Sequence, residues 1–134
     1  MPVAARRKTQ GPLTSEFRQL QALLEQYSPP LIERTVNTTK PQYHLWSVKD
    51  IEIAGRKRKE VYFAGVIIQK GYVGFYYLPA YSDAELKEFF APELLRLLNG
   101  KSCFHIKQLS PALAKQIQRA LRIGFRQYKS RGWI

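Results

Sequence analysis

Val61-Tyr62-Phe63-Ala64-Gly65-Val66-Ile67-Ile68-Gln69-Lys70-Gly71-Tyr72-Val73-Gly74-Phe75-Tyr76-Tyr77-Leu78 carries one charge, Lys70, in eighteen residues. That length touches the lower limit of a membrane span, which needs about 20 apolar residues. Its β-branched and aromatic enrichment around a central Lys70-Gly71 reads instead as two strands and a tight turn. Lys70-Gly71-Tyr72 also matches the start of an RNA-reading strand. The next two positions should be small and then aromatic, and they are Val73 and Gly74. An ordinary β-hairpin is the reading that fits every position.

With Lys70 and Gly71 as the turn, Gln69 faces Tyr72 and the faces alternate outward. Strict alternation puts Tyr62, Ala64, Val66, Ile68, Val73, Phe75 and Tyr77 on a continuous core face. The opposite face then holds Phe63, Gly65, Ile67, Gln69, Tyr72, Gly74 and Tyr76. Two glycines among large side chains predict a shallow dent, where a ligand or another backbone could approach. Phe63, Gly65, Ile67, Tyr72, Gly74 and Tyr76, joined by Trp46, are therefore candidates for a small-molecule pocket.

Outward from the hairpin, the chain reads as one α+β domain of ordinary apolar content, 45% in 134 residues. Thr14 or Ser15 is placed to cap a helix running to about Tyr27. Phe17, Leu20, Leu24 and Tyr27 form its apolar stripe, and Ser28-Pro29-Pro30 ends it. Leu31 to Val36 reads as a further helical turn. Gln42 to Val48 alternates as a strand, and Ile51 to Ala54 as a short one. Ser82 or Asp83 is expected to cap a helix to about Phe90. Pro92 is expected to begin another through Leu98, closed by Asn99-Gly100. Ser102 to Ile106 is a strand. Ser110-Pro111 opens a long amphipathic helix to about Lys129, with Ser as cap and Pro at the first position.

Charge is unevenly spread. The formal net charge is +12, and residues 99–134 hold eight Lys or Arg and no Asp or Glu. On the last helix, Lys115, Arg119, Arg122, Arg126 and Lys129 are spaced to share an arc of about 80°. Cations so close repel unless solvated or met by an anion. They are the leading candidates for binding nucleic acid or another polyanion. The run Arg56-Lys57-Arg58-Lys59, read as a turn, is a second basic patch that could join them. Residues 1–13, with Arg6-Arg7-Lys8, read as a flexible basic arm, leaving 14–134 as the domain.

The single cysteine, Cys103, cannot form an internal disulfide, and no signal-peptide pattern opens the chain, so the expected compartment is the cytoplasm. Cys103 and His105 fall on one side of their strand, but two residues do not close a metal site. No Walker loop, dinucleotide loop, His-Glu-x-x-His motif or nucleophile elbow is present, so the sequence does not support an enzyme. Oligomeric state is not encoded in any feature of the chain.

The run Gly100-Lys101-Ser102-Cys103-Phe104-His105-Ile106-Lys107 precedes a helix that ends Ile123-Gly124-Phe125-Arg126-Gln127-Tyr128-Lys129-Ser130-Arg131-Gly132-Trp133. These segments, with the aromatic hairpin ending at Tyr77, resemble the YdhG-like family of uncharacterised bacterial domains, over roughly Phe17 to Trp133. The resemblance implies an antiparallel sheet packed against helices. It also implies, for one branch, a frataxin-like role in intracellular iron delivery. Iron would favour oxygen ligands, and Asp83, Glu85 and Glu88 are this chain's candidates. The expectation is thus a non-enzymatic cytoplasmic binding protein with a basic surface and no cofactor. Iron handling and a small-molecule site on the aromatic sheet face are the alternatives.

Overall fold

In a computed structural model, residues 13–82 and 84–134 are described, without the side chains of Ser82, Ala84 and Glu85. The basic run of the N-terminal arm and Asp83 therefore lie outside the described residues. Leu13 packs against the core and precedes helix α1, Thr14–Glu25. No side chain caps α1, contrary to the expectation for Thr14 or Ser15; the Ser15 hydroxyl instead accepts from Gln19.

A six-stranded sheet follows, antiparallel at every pairing. Its strands are β1 Ile32–Val36, β2 Gln42–Ser47, β5 Val61–Gln69, β6 Tyr72–Tyr77, β7 Leu98–Asn99 and β8 Cys103–Ile106. They lie in the order β1-β2-β5-β6-β8-β7. Between β2 and β5, β3 Ile51–Ile53 and β4 Arg56–Arg58 form a separate two-stranded ribbon. The hairpin is as expected: Gln69 pairs with Tyr72, and Gly71 takes φ +88°, open to glycine without strain.

Four local expectations are corrected. Residues 32–36 form an edge strand, not a helical turn. Ile32, Thr35 and Val36 are β-branched, which favours a strand, and the segment pairs along its inner edge with β2. The expected helix from Ser82 divides into a single turn, α2 Pro79–Ser82, and a 3-10 segment, Ala84–Phe89. The expected helix from Pro92 is also one turn, α3 Pro92–Leu95. The chain then turns back as β7, where the Leu97 carbonyl accepts from His105 N–H. The basic run is no loop tip either: Arg56, Lys57 and Arg58 form β4, and the ribbon turns at Ala54-Gly55, both with positive φ.

Helix α4, Pro111–Ser130, forms as its signals predict, and the Ser110 hydroxyl accepts from Leu113 N–H at 3.1 Å. Helices α1 and α4 bury Phe17, Leu20, Leu24, Leu113, Ile117 and Leu121 against one face of the sheet. The join is specific. The Tyr77 hydroxyl donates to the Ala120 carbonyl of α4, and a Cβ at Gly124 would overlap that phenol and Pro79.

The largest departure from strict alternation lies within β5. Trp46 pairs with Tyr62 but Leu45 pairs with Ala64, so Phe63 is an unopposed extra residue, a β-bulge. One extra residue exchanges the faces. Phe63 is therefore fully buried, its ring 5.2 Å from Tyr128 and 6.1 Å from Tyr27. Tyr62, expected in the core, lies on the opposite face beside His44 and Trp46. The irregular backbone is satisfied: Tyr128 Oη donates to the Tyr62 carbonyl at 2.7 Å, and Leu78 N–H to the Phe63 carbonyl at 3.0 Å.

Candidate functional site

Two surfaces carry most of the residues singled out by sequence: the sheet face turned away from the helices, and the solvent side of α4.

The outer sheet face presents Arg34 from β1, His44 and Trp46 from β2, Tyr62 and Ile67 from β5, Tyr72 and Tyr76 from β6, and Cys103 and His105 from β8. Register places them in cross-strand rows: Arg34, His44, Gly65, Tyr76 and Cys103 form one, and Ile67, Gly74 and His105 another. Most of these side chains are only half-buried, so the face is not sealed by the described residues.

The expected dents are nevertheless filled. A Cβ at Gly65 would overlap both the Tyr62 hydroxyl and the His44 ring, and would lie 2.9 Å from the Tyr43 carbonyl. A Cβ at Gly74 would come within 2.9 Å of the Tyr76 ring. Each glycine is a seat for an aromatic side chain lying across it, not a cavity. Phe63 is on the wrong side of the sheet altogether. The candidate pocket therefore loses Phe63 as a lining residue and Gly65 and Gly74 as open space, while Trp46, Ile67, Tyr72 and Tyr76 remain on this face.

The polar tips of this face are also spoken for. His44 Nε2 meets Gln42 Oε1 at 2.8 Å, and His44 Nδ1 meets Tyr62 Oη at 2.7 Å. With the Gln42 oxygen as acceptor, Nε2 carries the proton and Nδ1 accepts from the phenol. Burial holds the His44 imidazole below its ordinary pKa, which preserves that neutral tautomer. Gln69 Nε2 donates to Tyr76 Oη at 3.3 Å. Tyr72 stacks on His105 at 3.9 Å, and the Arg34 guanidinium lies over Trp46 at 4.8 Å while pairing with Glu60 at 2.6 Å.

Cys103 and His105 do share this face, yet each has its own neighbour. His105 stacks on Tyr72, and Cys103 hydrogen-bonds with Tyr76. Burial raises the Cys103 pKa, only partly offset by that bond, so the thiol is held protonated and is a poor nucleophile.

The solvent side of α4 is different. Lys115, Arg119, Arg122, Arg126 and Lys129 are all exposed, on the side opposite buried Leu113, Ile117, Ala120, Leu121, Gly124 and Tyr128. The middle three converge. Arg119, Arg122 and Arg126 line a groove of about 420 Å³ between α4 and the 3-10 segment, with Leu86, Phe89 and Ile123 as its apolar wall. The ion pair shown among the described residues is Arg34 with Glu60, and no described carboxylate is paired with any of the three groove guanidiniums. Their field reaches Tyr27, where Arg122 and Arg126 pull the phenol pKa down against the larger upward push of burial.

Lys115 and Lys129 stand at the two ends of the same helix face. Arg56, Lys57, Arg58 and Lys59 are exposed too, but belong to the separate ribbon and its end. Phe89 is the groove residue that sequence reasoning missed. Only its exposure had a signal: Leu86 and Phe90, four apart, are buried on one side of their segment, which leaves Phe89 off that side and 55% exposed.

Of the acidic candidates, Glu88 is exposed, and Asp83 and the Glu85 side chain lie outside the described residues. Among the described residues, no group of three or more His, Cys, Asp or Glu could hold a metal ion. No described helix is long and apolar enough to cross a membrane.

The chain matches no family model, no curated protein and no solved structure.

Proposed function

We propose that this protein is a non-enzymatic polyanion-binding domain that engages nucleic acid through the solvent face of α4. The observation that carries this reading is the convergence of Arg119, Arg122 and Arg126 in one groove without a described carboxylate partner. Three guanidiniums on successive turns repel one another, and a phosphate backbone relieves that repulsion while supplying acceptors for their N–H forks. Lys115 and Lys129 extend the stripe along a helix of 20 residues, about 30 Å. The net charge of +12 adds a long-range attraction that brings polyanions to the surface.

Such binding is counterion-driven, so the logarithm of affinity should fall linearly with the logarithm of salt concentration. Titration of a fluorescein-labelled oligonucleotide at graded ionic strength tests it. A steep negative slope supports the reading, and no binding at low ionic strength would sink it. Iron delivery, the implication of the YdhG-like resemblance, gains no supporting observation from the described side chains.

A further inference from the structure

The geometry points to the α4 groove as a site for unpaired nucleotides, with phosphates on the arginines and a base on Phe89. This rests on the polyanion reading and narrows it to single-stranded nucleic acid. Bare anion binding accounts for Arg119, Arg122 and Arg126 but not for their apolar neighbours. Phe89 leaves 55% of its surface in water, while the adjacent Phe90 and Leu86 are buried. An aromatic ring held at the mouth of a cationic groove offers two attractions to one ligand: a π-face for stacking and guanidiniums for charge.

The groove's volume of about 420 Å³ falls within the ~300–1,000 Å³ of small-molecule sites. Ile123 of α4 and Leu86 of the 3-10 segment wall it on the apolar side, so a planar ring entering there meets carbon, and Gln127 is the one uncharged polar side chain in the lining. The i, i+3 and i+7 spacing of Arg119, Arg122 and Arg126 runs the cations along the groove, as a backbone of successive phosphates requires. A duplex hides its base faces in the stack and presents only phosphates and groove edges to a convex helix. An unpaired strand presents both phosphate and base face. The mixed lining therefore selects the single strand.

The test compares wild type with Phe89→Ala and Phe89→Tyr by anisotropy. The probes are a labelled eight-nucleotide single strand, the same sequence as a duplex, and inorganic polyphosphate. Wild type is expected to prefer the single strand to the duplex. Phe89→Ala should weaken single-strand binding roughly tenfold, the scale of one lost stacking contact, and leave polyphosphate binding unchanged. Phe89→Tyr should retain wild-type affinity, and circular dichroism should show all three proteins equally folded. Equal losses for single strand and polyphosphate, or no loss for either, would overturn the base site while leaving the arginine stripe standing. Binding of none of the three probes by wild type would overturn both.

Discussion

The outer face of the sheet and the outer face of α4 are both open to solvent among the described residues, yet their chemistry is opposite. On the sheet, the groups that could serve a ligand already serve one another. Tyr62 and Gln42 occupy both nitrogens of His44, Tyr76 takes Gln69 and Cys103, and the rings of Tyr62 and Tyr76 lie across the two glycines. On α4, like charges stand side by side with no described carboxylate to pair them, next to an aromatic ring left in water. Exposure alone does not mark a binding surface. Clustered charge without a protein counter-charge is the better mark, because an incoming anion supplies what the fold leaves to solvent.

The contrast can be broken most forcefully by neutralising the groove. Replacing Arg119, Arg122 and Arg126 together with Ala should lower oligonucleotide affinity about 100-fold at low salt. It should also flatten the salt slope by about 2, the loss of three phosphate contacts on a single strand. Stability should not fall, because like-charge neighbours are removed; a gain of a few tenths of a kcal/mol is expected. A thermal melt and a salt series read both. A large drop in melting temperature would show that the arginines serve the fold.

On the sheet the same kind of change should do the reverse. Gly65→Ala puts a methyl group into the space held by the Tyr62–His44 pair and against the Tyr43 carbonyl. It should destabilise by about 2 kcal/mol in urea unfolding, with oligonucleotide affinity unchanged. Full stability in the Gly65→Ala protein would mean that the seat is roomier than its neighbours indicate.

A smaller effect separates the faces by pH. His44 is held neutral by burial, below its ordinary 6.5. The unfolded chain therefore takes up the proton first as pH falls below about 6.5, so stability declines with acidification and is recovered as pH rises. His44→Gln should remove that part of the decline between pH 7 and the lowered folded value. Equal pH dependence in the two proteins would place the titration elsewhere. Smallest of all should be the effect of Tyr72→Ala or Trp46→Ala on oligonucleotide binding, which should be within error of wild type.

How much of this was legible in the sequence differs between elements. The hairpin turn, β2, β8 and the full length of α4 followed from alternation, Lys70-Gly71, Ser110-Pro111 and helical spacing, because each is set by local signals. The bulge at Phe63 was not legible. Val61 to Ile68 is apolar at almost every position, so no polar residue marks where the period slips. What fixes the slip is tertiary, the pocket that Tyr27, Phe125 and Tyr128 build for one ring. The arginine stripe could be read from helical geometry. That Phe89 stands beside it could not, because the meeting of α4 with the 3-10 segment depends on the packing of both against the sheet.

The central claim is that the partner goes to α4 and not to the open sheet. It is tested most directly by nitrogen-15 NMR of the protein titrated with a short single-stranded oligonucleotide. Trp46 reports on the sheet face through its indole N–H, and the side-chain Nε signals of Arg119, Arg122 and Arg126 report on the groove. The account predicts saturable shifts of the three arginine signals with the Trp46 indole unmoved. Shifts of Trp46 and of the backbone amides of Tyr72 and Tyr76, with the arginines silent, would contradict it.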